Sequence, residues 1–301
     1  MKVALCYSGL FKSWNHLHTQ FDGIRNLLAP ATNEIDFDVY IHSWDYKTNL
    51  QKVNKFKNTL ENFKEVNNIF ETTTTYNEFD TFMEDNPVNA IYVSDKRKSS
   101  LGIEDNLIFV DAIEDQEQKL QVLRYKFAQF WSQWLCFESI KQDYDLVVKL
   151  RPDVWIGSIN KKFIFEPRFY QSRTFAEFIR EKNADKMKMS IPGIRSLSVQ
   201  LDPIDKPMMF VDINVGDMAV TEFGNNMADW CWYMGGKDFN YFKDTFKNKD
   251  NFMTNILDVH KEMEVAGEDH GVARILSSVM TSNNFMVYCW QPFETSVLLT
   301  A

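Results

Sequence analysis

The sequence predicts an α/β fold in which a mostly parallel sheet is flanked by helices. Three observations lead to this prediction. Short apolar runs that end in polar residues alternate with stretches of helical periodicity. The stretch 116–141 spaces its apolar residues as a helix would, over about seven turns, and contains no Gly or Pro. A strand-like run, 144–150, follows it directly and stops at a proline.

Three predicted strands end in polar residues that can meet a ligand. The run 2–7 ends at Ser8-Gly9, and the run 37–42 is followed by Ser43-Trp44-Asp45. The run 144–150 ends at Arg151-Pro152-Asp153, because proline cannot donate a hydrogen bond to a central ladder. Open α/β sheets bind ligands beyond the carboxyl ends of their strands, so these tips are the candidate site.

The other elements are predicted from the same signals of periodicity, capping and turn residues. They are helices at 13–28 and 268–280, strands at 90–93 and 285–290, apolar runs at 208–212 and 217–223, and a helix capped by Asn225 or Asn226.

Length and composition indicate one compact globular protein. The 301 residues are 45% apolar, which is enough for one large core. The four cysteines are far apart without CxxC spacing, so neither a disulfide framework nor a zinc site is expected. We expect a cytoplasmic protein without a secretory signal, because MKVALCYSG has no cleavage site. No stretch reaches the ~18 apolar residues of a membrane span.

Charge is distributed unevenly along the chain. The net charge of -9 argues against a protein that coats nucleic acid or anionic membrane. The segment 151–196, however, contains ten Lys or Arg residues and only five Asp or Glu residues. Such a segment is where a polyanionic ligand is expected, either a nucleoside diphosphate or DNA phosphate. An ordinary solvated loop is the alternative.

The chain resembles the A-type glycosyltransferase superfamily, particularly its bacterial and viral members. The matching segments are YSGLFKS, FDVYIHSWD and YDLVVKLRPDVW in the first half, with DMAVTEFGNNMADW and AGEDHGVARIL later. The resemblance implies a single GT-A-like domain, 1–301, with a Rossmann-like sheet. Residues 1–156 would hold the nucleotide, and 157–301 would frame the sugar and acceptor.

The resemblance also implies the activity and a set of donor-binding residues. The donor would be a nucleotide sugar, with UDP as the expected nucleotide, and a hexosyl or pentosyl group would pass to a hydroxyl. The donor-binding candidates are Ser8, Gly9, Lys12, His42, Arg151, Asp153 and Asp217. Lys12 is alternatively a solvated helix residue, and His42 alternatively caps a helix or is held by Asp45.

A metal requirement stays open at the Arg151-Pro152-Asp153 motif. Asp153 takes the place of the second aspartate of the superfamily's Asp-x-Asp motif and could ligate Mg²⁺ or Mn²⁺. Arg151 takes the place of the first aspartate. An arginine binds diphosphate oxygens bidentately and repels a divalent ion, so metal-independent chemistry is the alternative. A turn with a surface ion pair is the structural alternative.

The second half supplies the other candidate groups. Glu268 and Asp269 resemble the pair that deprotonates the acceptor hydroxyl in inverting members, although acids in a first helical turn also occur without function. His270 is a further candidate metal ligand, and Glu222 a candidate sugar contact. The aromatic residues near 230–233 would stack on a ligand or, as we favour, belong to the core.

Two acceptors and one non-enzymatic function remain open. The acceptor is a saccharide or, in a phage-infected cell, a hydroxymethylated base in DNA. A composition rich in Lys, Asn and Phe and the basic 151–196 segment motivate the DNA hypothesis. A non-catalytic nucleotide- or sugar-binding module is the third possibility. The chain contains no GxxxxGK[ST], GxGxxG or GxSxG motif.

Overall fold

The computed structural model describes most of the chain. The described residues are 1–11, 13–28, 34–87, 116–159, 189–190, 200–201, 207–213, 227–266, 272–289 and 293–297. The predicted strand at 90–93 and the apolar run at 217–223 lie outside them.

Strands and helices alternate over residues 2–85, as in other α/β folds, and the later elements include runs of successive strands and successive helices. The strands are β1 Lys2–Gly9, β2 Asp36–Trp44, β3 Val66–Thr74, β4 Leu146–Leu150, β5 Val154–Ile159, β6 Met189–Ser190, β7 Gln200–Leu201, β8 Met208–Ile213, β9 Met227–Gly235, β10 Met286–Cys289 and β11 Phe293–Val297. The helices are α1 Leu17–Leu28, α2 Lys47–Leu60, α3 Tyr76–Asp85, α4 Gln116–Glu138, α5 Gly236–Phe246, α6 Lys249–Ala266 and α7 Val272–Ser282.

One seven-stranded sheet organises the described residues, in the order β10-β8-β9-β4-β1-β2-β3. Strand β1 pairs in parallel with β2 and β4, β2 with β3, and β8 with β10. Strand β9 is antiparallel to both β4 and β8. The predicted α/β class with a mostly parallel sheet is confirmed. Both halves of the chain contribute strands to the same sheet.

The sequence patterns did not predict strands β9 and β3 of this sheet. The helix expected after Asn225 or Asn226 is wrong, because strand β9 begins at Met227. From Cys231 to Met234 every residue is buried where β9 lies between β4 and β8, so sheet pairing on both sides determines its conformation. Strand β3 was missed because its polar residues hide the alternation expected of a strand; it lies at the edge of the sheet.

Helices cover both faces of the sheet. On one face α1 and α2 bury Phe21, Ile24 and Phe56 against the odd-numbered residues of β1 and β2. On the other face α3 to α7 pack an aromatic-rich core around Trp131 and Trp134 of α4. Each fully buried large apolar side chain contributes about 1.5–3 kcal/mol, so both faces are strongly held.

A buried polar network closes the amino edge of the sheet. The Oδ2 atom of Asp38 accepts hydrogen bonds from the Tyr144 hydroxyl at 2.7 Å and from the Gln142 amide at 3.2 Å. Its Oδ1 atom accepts one from Asn68 at 2.7 Å, and Lys2 Nζ lies 3.6 Å from Oδ2. These bonds satisfy a carboxylate that is 1% exposed. The network therefore ties β1, β2 and β3 to the residues that enter β4.

Among the described residues, no helix combines the length and the apolar character that crossing a membrane requires.

Candidate active site at the carboxyl edge of the sheet

The three predicted tips meet at one edge of the sheet. Strand β1 lies between β4 and β2, and all three run in the same direction. In the register, Tyr7 is paired with Leu150, and Gly9 with Ser43. The residues that follow Leu150, Gly9 and Trp44 therefore emerge side by side, where open α/β sheets bind ligands.

The Arg151-Pro152-Asp153 segment is a closed turn with a two-pronged ion pair. The amide of Val154 donates to the carbonyl of Arg151 at 3.3 Å. Arg151 Nε lies 3.0 Å from Asp153 Oδ1, and Nη2 lies 2.8 Å from Oδ2. The side chains are 29% and 14% exposed, so the pair is only partly solvated. The guanidinium is thus held in a fixed orientation.

This arrangement does not fit a Mg²⁺ or Mn²⁺ site at Asp153. Both carboxylate oxygens accept from Arg151, whose positive charge repels a divalent cation. In the part of the chain that the structure describes, no group of three His, Cys, Asp or Glu side chains is placed to hold a metal ion. The geometry instead presents a cationic group suited to an anion.

The tip of β1 is held against the tip of β2 by Asn49 of α2. The Phe11 amide donates to Asn49 Oδ1 at 3.1 Å, and Asn49 Nδ2 donates to the Trp44 carbonyl at 3.0 Å. Gly9 has a φ of 103°, a backbone conformation that favours glycine. Ser8 and Gly9 therefore lie on a turn whose path the buried Asn49 amide fixes.

Gln20 of α1 connects β1 to the turn after β4. Its Nε2 donates to the carbonyls of Arg151 at 3.1 Å and Val154 at 2.6 Å. Its Oε1 accepts from the Tyr7 hydroxyl at 2.9 Å. Sequence reasoning missed both Gln20 and Asn49. The one sequence signal for these two residues was that each is polar at a helix position whose spacing predicts a buried, apolar side chain.

His42 does not present its ring to the tip of the sheet. The side chain is 0% exposed and lies on the face covered by α4, where Nδ1 is 2.7 Å from Ser132 Oγ. Burial lowers its pKa from the ordinary 6.5 to about 3, so the ring is neutral. The predicted donor contact by His42 has no geometric support here, and its partner is Ser132 rather than Asp45.

The aromatic residues of β9 belong to the core. Trp232 and Tyr233 are buried, as the favoured interpretation expected; the side chain of Trp230 is outside the described set. Exposed aromatic rings occur instead near the tips of β2 and β3. Tyr46 is 38% exposed, Tyr125 is 48% exposed, and the Tyr46 ring centroid lies 6.5 Å from that of Tyr76.

The remaining predicted site residues fall outside the described residues. They are Lys12, Asp217, Glu222, Glu268, Asp269 and His270, together with most of the basic 151–196 segment. Each therefore stays a prediction.

The helix before Glu268 runs toward the candidate site. Helix α4 precedes β4 and so descends from the carboxyl edge to the amino edge. The ring centroids of Phe130 and Phe252 are 6.4 Å apart. Phe127, which lies nearer the carboxyl edge on α4, has its ring centroid 5.1 Å from that of His260. Helix α6 is therefore antiparallel to α4, and its end at Ala266 lies toward the carboxyl edge.

Comparisons with known proteins give no family assignment. No protein-family model and no curated protein match the chain. Mouse xyloside xylosyltransferase 1 in its apo form aligns over 96% of this chain and 83% of its own, with 7% identity and a TM-score of 0.39. The galactosyltransferase LgtC, solved with donor and acceptor sugar analogues, aligns over 85% and 69%, with 11% identity and a TM-score of 0.31. Likenesses at this level do not assign a function.

Proposed function

We propose that this protein is a glycosyltransferase that moves a sugar from a nucleotide-sugar donor, a UDP-sugar, to a hydroxyl acceptor. One observation carries the proposal. The Arg151 guanidinium is held by Asp153 at the end of the central strand β4, directly after the Leu150–Tyr7 pair that joins β4 to β1. The resemblance of YSGLFKS, FDVYIHSWD and YDLVVKLRPDVW to the A-type superfamily supports the choice of donor.

The chemistry requires a fixed positive charge beside the leaving group. When the bond from the sugar to the diphosphate breaks, negative charge develops on the diphosphate oxygens. A guanidinium can donate two parallel hydrogen bonds to such oxygens, as Arg151 does to Asp153. Arg151 Nε and Nη2 already donate to Asp153, so a diphosphate would either displace that carboxylate or bind the other N–H groups of the guanidinium. Arg151 is thus the proposed catalytic residue for leaving-group stabilisation.

Acceptor activation is assigned to Asp269 or Glu268. A positioned carboxylate that takes the acceptor proton increases the rate by about 10²–10⁴. Both residues follow Ala266, the end of a helix directed toward the carboxyl edge. A base on the side opposite the leaving group would invert the anomeric centre. The proposed acceptor is a saccharide hydroxyl.

Calorimetric titration of nucleoside diphosphates, with and without Mn²⁺, tests the proposal. The wild type should bind UDP, and a ligand at 100 times its dissociation constant should stabilise the fold by about 2.7 kcal/mol. Arg151→Ala should weaken UDP binding by at least about tenfold, since it removes a charge-assisted contact. The matched control is Arg25→Ala, which removes two ion pairs, with Asp22 and Glu65, away from the candidate site.

Turnover separates an enzyme from a binding module. Release of UDP from a UDP-sugar should be measurable in the wild type and lost in Arg151→Ala. UDP binding with no release of UDP from any sugar donor would support the module. Failure of the wild type to bind any nucleoside diphosphate would overturn the proposal.

A further inference from the structure

We propose that Gln20 is a positioning residue that sets the orientation of Arg151 for the diphosphate. This inference rests on the proposed function. Gln20 lies on α1, whose residues lie between the first two strands in the sequence, whereas Arg151 follows β4. The two residues are 131 positions apart, yet one side-chain amide connects them directly.

The polar atoms of the Gln20 side chain all have partners around the turn. The Nε2 atom has two N–H groups, and it donates to the carbonyls of Arg151 and Val154, which flank the turn. The Oε1 atom accepts from the Tyr7 hydroxyl, which lies on β1. The side chain is 0% exposed, so water does not compete for these bonds. The amide therefore fixes both ends of the turn relative to β1.

The position of the turn determines where the Arg151 side chain begins. Its carbonyl is held from two directions, by Gln20 Nε2 at 3.1 Å and by the Val154 amide at 3.3 Å. If Gln20 no longer donates, the carbonyls of Arg151 and Val154, at the two ends of the turn, lose their shared hydrogen-bond donor. A reacting group that is misplaced by about 1 Å costs up to about 10²-fold in rate, so such an anchor matters for ligand contacts.

Substitutions at Gln20 separate the donor and acceptor functions of its amide. Gln20→Met keeps the length of the side chain and removes every hydrogen bond. Gln20→Glu keeps an acceptor for Tyr7 but replaces the donating nitrogen with oxygen. Both variants should weaken the binding of UDP and of inorganic pyrophosphate by about tenfold. This change in affinity is similar in size to the contribution of one hydrogen bond. Tyr7→Phe should have a smaller effect in the same direction.

The matched control is Gln133→Met. Gln133 is also a buried glutamine of a long helix, but it lies on α4, on the other face of the sheet from α1. Affinities are measured by titration calorimetry at a temperature where circular dichroism shows each variant to be folded. The control should bind both ligands as the wild type does.

A double-mutant cycle with Arg151→Ala decides whether Gln20 acts through Arg151. In the Arg151→Ala background, Gln20→Met should change pyrophosphate affinity by less than about twofold, because the group that it orients is gone. An equal loss in both backgrounds, or a lower melting temperature with unchanged affinity, would overturn the positioning role while leaving the proposed function intact. If the wild type binds neither UDP nor pyrophosphate, the proposed function and this inference both fail.

Discussion

The guanidinium of Arg151 and the carboxylate of Asp153 face each other across Pro152, joined by hydrogen bonds of 3.0 and 2.8 Å. The geometry is the one in which arginine binds phosphate oxygens, so Asp153 holds the guanidinium in the orientation that a diphosphate would require. The carboxylate is also a competitor for that anion. Removing the negative charge of Asp153 should therefore change the affinity for the anion in a defined direction.

Asp153→Asn should strengthen the binding of inorganic pyrophosphate without added metal, by a few-fold or more. The amide keeps the shape of the side chain but removes the negative charge that both pairs with Arg151 and repels the anion. Titration calorimetry measures the effect. Asp22→Asn, at the surface ion pair with Arg25, is the control and should change nothing. Binding that requires Mn²⁺ in the wild type and disappears in Asp153→Asn would instead identify Asp153 as a metal ligand.

Gly9→Ala should destabilise the fold by about 1–2 kcal/mol. The cause is the backbone, since φ is 103° and an added Cβ would have no atom within 4 Å. Urea unfolding measures the change. Gly9→Asn should cost less, because asparagine tolerates positive φ better than alanine. Equal stability of Gly9→Ala and the wild type would show that the β1 tip relaxes readily.

Gly236→Ala should be more damaging than Gly9→Ala, with a cost of about 3 kcal/mol or more. An added Cβ would lie 1.7 Å from the Tyr144 carbonyl oxygen, which is backbone and cannot rotate away. Helix α5 would have to move from the start of β4, breaking the bond between the Gly236 amide and the Asp145 carbonyl. The comparison is made by urea unfolding of both variants, and the reverse ranking would contradict it.

His42 should make the protein less stable in acid. Its pKa is about 3 in the folded chain against an ordinary 6.5, so between these values only the unfolded chain binds the proton. The stabilising contribution is complete above pH 6.5 and is lost as the pH falls toward 3, with a slope of up to about 1.4 kcal/mol per pH unit. His42→Gln should therefore lose less stability than the wild type between pH 7.5 and pH 5.

The measurement for His42 is urea unfolding at both pH values. His18→Gln, on the exposed side of α1, serves as the control for the replacement of a histidine by glutamine. Parallel curves for His42→Gln and the wild type would mean that the ring takes up its proton in the folded state.

Tyr144→Phe should destabilise the protein by about 1–3 kcal/mol, because it removes a donor from the buried Asp38 carboxylate. The same change removes the 2.8 Å bond between the hydroxyls of Tyr144 and Tyr40. Tyr241→Phe, at a ring that is 42% exposed, should have little effect on thermal unfolding. Ligand affinity should be unchanged, since the network lies at the edge opposite the candidate site.

Local signals in the sequence predicted the central part of the fold and the strands whose carboxyl ends meet at the candidate site. Strands β1, β2 and β4 and the long helix α4 were predicted within a few residues, because their apolar runs and the proline stop are local features. The meeting of their tips follows from parallel pairing alone. For the same reason, the sequence alone predicts that Arg151 and Asp153 lie at the carboxyl edge of the sheet.

The features that the sequence did not predict depend on tertiary packing. Strand β9 has a run of aromatic residues whose conformation depends on β4 and β8 on either side. His42 lies at the predicted strand tip, but the position of α4 decides which face its ring occupies. Gln20 was overlooked because its partners lie 131 and 134 positions away, beyond the range of any periodic pattern.

The pairing of β4 between β1 and β9 has a consequence for synthesis on the ribosome. Strand β4 takes its first neighbour from residues 2–9 but its second from residues 227–235, so β4 has an open edge until residues 227–235 have been made. Such an edge is a template for wrong pairing. A nascent chain stopped before Met227 should therefore recruit chaperones or aggregate more readily than the 301-residue chain, in which β9 covers this edge of β4.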